Sequence, residues 1–172
     1  MKSAKELIYP AVFTALLIGV QLVLSGVAGV ELVTVLLLSY IFVFGLKQGF
    51  IVVNAFSILR CAIFGFFVNA VILYLVYFNL FVLVIGLITK AVKGKYSIKI
   101  HIILTVVAVI LTACFTLIDD VITPIMYSYS AYATKLYFTA SLTVMIPQMI
   151  CSLATVSTLF YPLYKVLILA KK

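Results

Sequence analysis

The sequence predicts an all-α, polytopic membrane protein with six transmembrane helices and both termini cytoplasmic. Three observations lead there: a shortage of charge, apolar runs long enough to cross a bilayer, and basic residues that return on alternate connections. Hydrophobic residues make up 67% of the 172-residue chain and charged ones 9%, and the mean hydropathy is +1.38. A soluble domain carries roughly a quarter of its residues as charged side chains, because water must be satisfied over its whole surface. So few charges cannot coat a globule, and lipid is the expected outer solvent. No stretch is polar enough to form a second domain, so residues 1–172 read as one membrane-embedded unit.

A helix crossing a hydrocarbon core of about 30 Å needs about 20 apolar residues. Polar punctuation sets the spans at about 7–24, 31–46, 49–67, 70–89, 100–118 and 138–164. The second is short, so it either starts earlier or sits where the bilayer is thinned. The run after Lys2 and Lys5 is too long for a signal-peptide core and lacks a clear small-residue cleavage site, so it reads as a retained first span. Ser3-x-x-Glu6 has the form of a capping box. Pro10 suits either a first helical turn or a kink in a longer helix. Runs such as Ile102-Ile103-Leu104 are apolar on every side, which argues against the alternating strands of a β-barrel.

Six spans bring Lys2, Lys5, Lys47, Lys90, Lys93, Lys95, Lys99, Lys165, Lys171 and Lys172 to one side, leaving Arg60 and Lys135 elsewhere. That asymmetry marks the cytoplasmic face by the positive-inside rule. It also accounts for the net charge of +8 without a nucleic-acid partner. Glu31, Asp119 and Asp120 fall at the outer rim.

Polar residues inside the spans are the candidates for function. Arg60 lies about 12 residues past Lys47, roughly 18 Å of helix. An arginine at that depth needs a partner or a wet cavity, either an ion pair with Glu31, Asp119 or Asp120 or an anionic group of a substrate. The segment from Asp119 to Tyr137 is the longest external connection, and it holds Pro124 with Tyr127, Tyr129, Tyr132 and Tyr137. These tyrosines suit an interfacial belt or a lid that stacks on a flat heterocycle. Among Gln21, Asn54, Asn69, Tyr74, Asn79 and Gln148, Asn69 and Gln148 lie near the outer ends and can bond a ligand. Asn54 and Asn79 lie deeper and fit helix bridging. Gln148 follows Pro147, which frees a carbonyl one turn earlier, an irregularity tolerated beside a cavity. The expected pocket opens outward between spans two, three, five and six. Glu31, Arg60, Asn69, Asp119, Tyr129 and Gln148 line it, with Tyr74, Asp120 and Lys135 as further site residues.

The remaining residues suggest no chemistry of their own. Cys61, Cys114 and Cys151 stand singly in apolar runs and fit neither a disulfide framework nor a metal site. His101 reads as a solvated interface residue, and Gly26 with Gly29 as a plain turn. No phosphate-cradling loop, nucleophile elbow or acid pair with a histidine base is present, so neither catalysis nor a cofactor is expected.

Ala11-x-x-x-Ala15-x-x-x-Gly19 stacks three small residues on one face of the first span. Helices in lipid associate where small side chains let backbones approach, so this face serves either the chain's own bundle or another membrane subunit. With six spans, a basic loop after the fourth, and the stretch from Glu31 to Leu37 through Phe44-Gly45-Leu46-Lys47-Gln48-Gly49, the chain resembles the S components of energy-coupling factor (ECF) transporters. The resemblance covers the whole chain. It implies a vitamin or related micronutrient captured near the outer surface of a prokaryotic plasma membrane, under external loops. It implies further that Ala11 and Ala15 dock on a transmembrane T component linked to two cytoplasmic ATPases, and that the subunit topples to release its cargo. Gly19 extends that face by its spacing. The polar set does not name the vitamin. A self-contained small secondary transporter and a non-transport membrane scaffold are the competing readings, although residues 1–90 and 91–172 show no internal repeat of the kind many carriers have.

Overall fold

The computed structural model describes residues 4–27 and 29–171, with side chains described from residue 7 onward. Lys2, Ser3 and Lys172, and the side chains of Lys5 and Glu6, lie outside the described residues, and the capping-box expectation lies there with them. Among the described residues six helices follow one another: α1 (Ala4–Leu24), α2 (Val33–Phe44), α3 (Leu46–Phe64), α4 (Val68–Ala91), α5 (Ile98–Met126) and α6 (Ala131–Lys171). No strand occurs among the described residues. All except α2 are long and apolar enough to cross a membrane, and the chain is a membrane-embedded helical bundle. Pro10 lies inside α1, past its first turn.

The start of α1 and the last turn of α6 meet at one end of the bundle. Tyr9 donates its hydroxyl proton to the Ala170 carbonyl at 2.7 Å. Lys171 donates to the Val43 carbonyl at 2.6 Å, with its ammonium 5.6 Å from the centre of the Phe44 ring. The bundle thus has a terminal end, holding the start of α1 and the last turns of α2 and α6, and an opposite, far end. Helices α3 and α4 run antiparallel, tied by reciprocal amide bonds between Asn54 and Asn79 at 3.1 and 3.2 Å. Each of these amides also donates to a carbonyl one turn earlier, so the pair is the helix bridge its depth predicted. Helices α5 and α6 are antiparallel too, joined at His101–Val156 and Asp120–Ser141.

Two helices depart from the expected lengths. Helix α2 has 12 residues, about 18 Å of rise and well short of a full span. Helix α6 has 41 residues, about 61 Å, twice the hydrocarbon thickness. Its added turns come from the segment expected to be a long external connection. Helix α5 runs on to Met126, α6 begins at Ala131, and four residues join them in a turn with Ser128 at φ +50°. The acids of this segment find hydroxyl partners across the hairpin, so neither requires an irregular, hydrated loop.

Outward faces carry apolar side chains such as Val12, Val23, Ile102, Ile110 and Leu169, as a lipid-solvated surface requires. Inside, Leu17, Leu37, Leu38, Val52, Phe56, Phe81, Ile85, Leu104, Val156 and Phe160 are fully buried. His101 is buried as well, which corrects its reading as a solvated interface residue. Its ring bonds the Tyr96 hydroxyl at 3.2 Å through Nδ1 and the Val156 carbonyl at 3.0 Å through Nε2. Five residues from Tyr96 by sequence, it sits in an aromatic cluster with Phe160, where both ring nitrogens are satisfied.

Burying one apolar surface against another gains little when lipid is the alternative, so close backbone approach matters. At Gly86 of α4, an added Cβ would collide with the Leu46 side chain of α3. Gly86→Val is expected to destabilise the bundle by about 1–3 kcal/mol through overpacking. Thermal unfolding in detergent measures this, and Leu46→Ala in the same chain should restore part of the loss.

Candidate functional site

The connection between α1 and α2 turns into the bundle instead of lying across its far end. Successive turns close at Leu22–Ser25, Leu24–Val27 and Val27–Val30. Gly29 then packs on Pro147 of α6, with φ +80° and room for no side chain: a Cβ there would stand 2.6 Å from the proline Cβ. Two residues on, the Glu31 amide donates to the Cys151 sulfur at 3.4 Å, and the Cys151 thiol donates to the Glu31 carbonyl at 3.3 Å. The thiol therefore satisfies both backbone groups of a non-helical residue. Irregular backbone at membrane depth is stable only where protein or a cavity meets it. Cys151 thus has a role its isolated position in the sequence did not reveal, and Gly29 does more than turn the chain.

Docking at the midpoint of α6 moves Glu31 off the rim where the sequence placed it. Its Oε2 accepts the Thr34 amide at 3.0 Å. From just before the N-cap Leu32, that bond satisfies one free amide in the first turn of α2, where the helix dipole also favours negative charge. The shortness of α2 follows, since the chain has already descended part of the way as loop.

Beneath this loop lies a cavity of about 250 Å³. Gln21 of α1, Glu31 and Thr34, the rings of Tyr74, Tyr77 and Phe78 on α4, Thr112 and Phe115 on α5, and Gln148 on α6 line it. The aromatic wall is itself packed edge-to-face, with Phe115 4.9 Å from Tyr77 and 5.7 Å from Tyr74. Gln21 donates to the Tyr74 hydroxyl at 2.9 Å. Behind that ring stands Arg60, its guanidinium carbon 4.3 Å from the Tyr74 centroid and 5.1 Å from that of Phe64. Among the described residues, this cation–π clamp is the partner the fold gives Arg60, in place of an ion pair with Glu31, Asp119 or Asp120.

The remaining acids belong to a different constellation at the α5–α6 hairpin. Asp119 accepts the hydroxyls of Thr123 at 2.7 Å and Tyr137 at 2.6 Å. Asn69 donates to Thr123 at 3.0 Å and accepts from Tyr127 at 3.3 Å. Tyr129 packs between Tyr127 and Tyr137, with centroids at 6.2 and 5.9 Å. Asp120 accepts from Ser141 at 2.7 Å. This hub ties α4, α5 and α6 together, and the tyrosines cap it; the cavity is lined instead by Ser25, Val27 and residues 29–32 of the α1–α2 connection.

Of the residues singled out in the sequence, the fold brings Gln21, Glu31, Tyr74 and Gln148 to the cavity, with Arg60 one ring behind. Asn69, Asp119 and Tyr129 join the hub, Asp120 lies beside it, and Lys135 is exposed on α6. Ala11, Ala15 and Gly19 are exposed on α1, opposite the buried Phe13, Thr14, Leu17 and Ile18. Tyr77, Phe78 and Phe115 escaped sequence reasoning. Gln21, already a candidate, falls one turn after the buried Leu17 and away from the small-residue face. The aromatic rings carry no signal that separates them from core.

Comparisons with protein-family models, curated proteins and solved structures find no match.

Two outcomes test this division of labour. Asp119→Ala leaves two hydroxyls without their acceptor and should cost about 1–3 kcal/mol of stability, read as a lower unfolding temperature. Gly29→Val, made with Cys61→Ser and Cys114→Ser, should lift the loop and speed maleimide labelling of Cys151 at least tenfold, read by mass shift over time.

Proposed function

We propose that the chain is the substrate-binding S component of an ECF-type importer. It captures a vitamin-like micronutrient from outside a prokaryotic plasma membrane and delivers it inward with a T component and two ATPases. The observation that carries this reading is the division of α1 into two working faces. Ala11, Ala15 and Gly19 form a smooth exposed seam, where an added side chain at Gly19 would meet nothing within 4 Å. The opposite side of the same helix sends Gln21 to the cavity wall. One rigid element thus joins a surface fit for close helix packing to the chamber that holds cargo.

The distribution of charge supports the orientation. Lys47, Lys90 and Lys99 lie in terminal turns of α3, α4 and α5, and Lys93 and Lys95 in the connection between α4 and α5, on the same side as Lys171. In the proposed topology that end faces the cytoplasm, and the cavity lies toward the outside. A docking seam that runs from the cytoplasmic end along α1 can reach a membrane partner while leaving the loop-covered chamber free to open.

Ala11→Trp with Ala15→Trp should abolish co-purification with a T component and ATPases and stop uptake in cells. The unfolding temperature of the isolated chain should stay within a few degrees, because both positions face outward. Unchanged assembly and uptake would remove the seam from the mechanism.

A further inference from the structure

Glu31 is the one carboxylate or basic group among the described residues that line the cavity, and its bonding is half complete. Oε2 holds the Thr34 amide at 3.0 Å, while Oε1 is buried without a hydrogen-bond partner. An ionised carboxylate is acceptor-only, with room for several donors, and burying a charge without a counter-charge is costly. The α2 terminus supplies one N–H and a favourable dipole, which holds the carboxylate in place but leaves Oε1 bare. Arg60 does not complete it: its guanidinium lies over Phe64 and Tyr74 and does not line the cavity. Oε1 is therefore free to accept from a donor brought into the cavity.

The walls narrow the class further. Tyr74, Tyr77, Phe78 and Phe115 present ring faces and edges to one space, a surround that favours a flat ring and attracts a cation. The volume of about 250 Å³ exceeds the engineered cavity of about 150 Å³ that takes benzene, so it admits a fused or substituted ring. Gln21 discriminates less, since its amide can turn either edge toward the Tyr74 hydroxyl and offer the other to a ligand.

Building on the reading of the cavity as the substrate site, we propose that it takes a flat aromatic cation whose charge rides on N–H groups, such as an amidine or an amino-substituted heterocycle. Those groups pair with Glu31, and the ring lies along the α4–α5 aromatic wall. Recognition is then a charge-assisted hydrogen bond made at depth, where low polarity strengthens it.

Three isosteric probes test the claim on the isolated, detergent-purified chain: 2-naphthamidine, 2-naphthamide and 2-naphthoate, titrated by calorimetry. The amidine should bind at least tenfold more tightly than the amide, and the carboxylate more weakly than both. Glu31→Gln keeps an oxygen for the Thr34 amide, so the fold should persist, and the amidine preference should fall below threefold. An unchanged unfolding temperature without ligand verifies that the variant is folded, and Glu31→Asp, which keeps the charge, should retain more of the preference than Glu31→Gln does. Tightest binding of the carboxylate, equal binding of amidine and amide, binding of none of the three, or a preference that survives Glu31→Gln would overturn the proposal. The measurement uses no T component or ATPase, so it can fail while the importer reading stands, and the tryptophan seam variants can fail while this stands.

Discussion

A short piece of irregular backbone, carried down among helices that lipid surrounds, sets the terms for the rest of this structure. Amides and carbonyls there cannot fall back on water. The chain meets that demand with unusual partners: the Cys151 thiol bonds both backbone groups of Glu31, and the Glu31 side chain accepts the Thr34 amide in the first turn of α2. Gly29 lies flat on Pro147 because any side chain would hold the loop away. From this one docking come the short α2, the depth of the acid and the roof of the cavity.

The α5–α6 hairpin supplies the rigid surface on which that loop can dock. Helix α6 is far longer than a bilayer requires, and Pro147 and Pro162 lie inside it. Its far half is held by the Asp119 hub, where one carboxylate collects two hydroxyls and Asn69 adds α4. Pro147 and Cys151, the residues the loop uses, lie beyond that anchored stretch. The hub and the cavity therefore work in series: one fixes a helix, and the other is roofed by a loop fixed to that helix.

Helix α1 gives the arrangement its directional character. Its inward side is bulky and buried through Phe13, Leu17 and Ile18, whereas its outward side carries the row Ala11, Ala15 and Gly19 beside exposed Val12 and Leu16. Tyr74 then links this helix to its neighbours, accepting from Gln21 while its ring meets Arg60. An arginine that would be expensive in lipid is thus stabilised by two aromatic faces, and in the same stroke it buttresses the cavity wall. A disturbance of α1 has a short path to the cavity through these side chains.

Composition and spacing were enough to establish a lipid-embedded helical bundle, because solvation by hydrocarbon leaves its mark on every residue of a span. They also separated the small-residue row of α1 from its bulky face, since 3.6-residue periodicity is local. The Asn54–Asn79 bridge was legible for a related reason: amides at that depth have few options besides each other. The acids were different. Glu31, Asp119 and Asp120 look alike in the sequence, all beside span ends, yet one lies beside the cavity and the other two bond across a helical hairpin. What separates them is which hydroxyls, amides and thiols lie across the neighbouring helix, at sequence separations from 3 to 120. Pattern along the chain carries no record of such pairings, and only the packed structure could decide them.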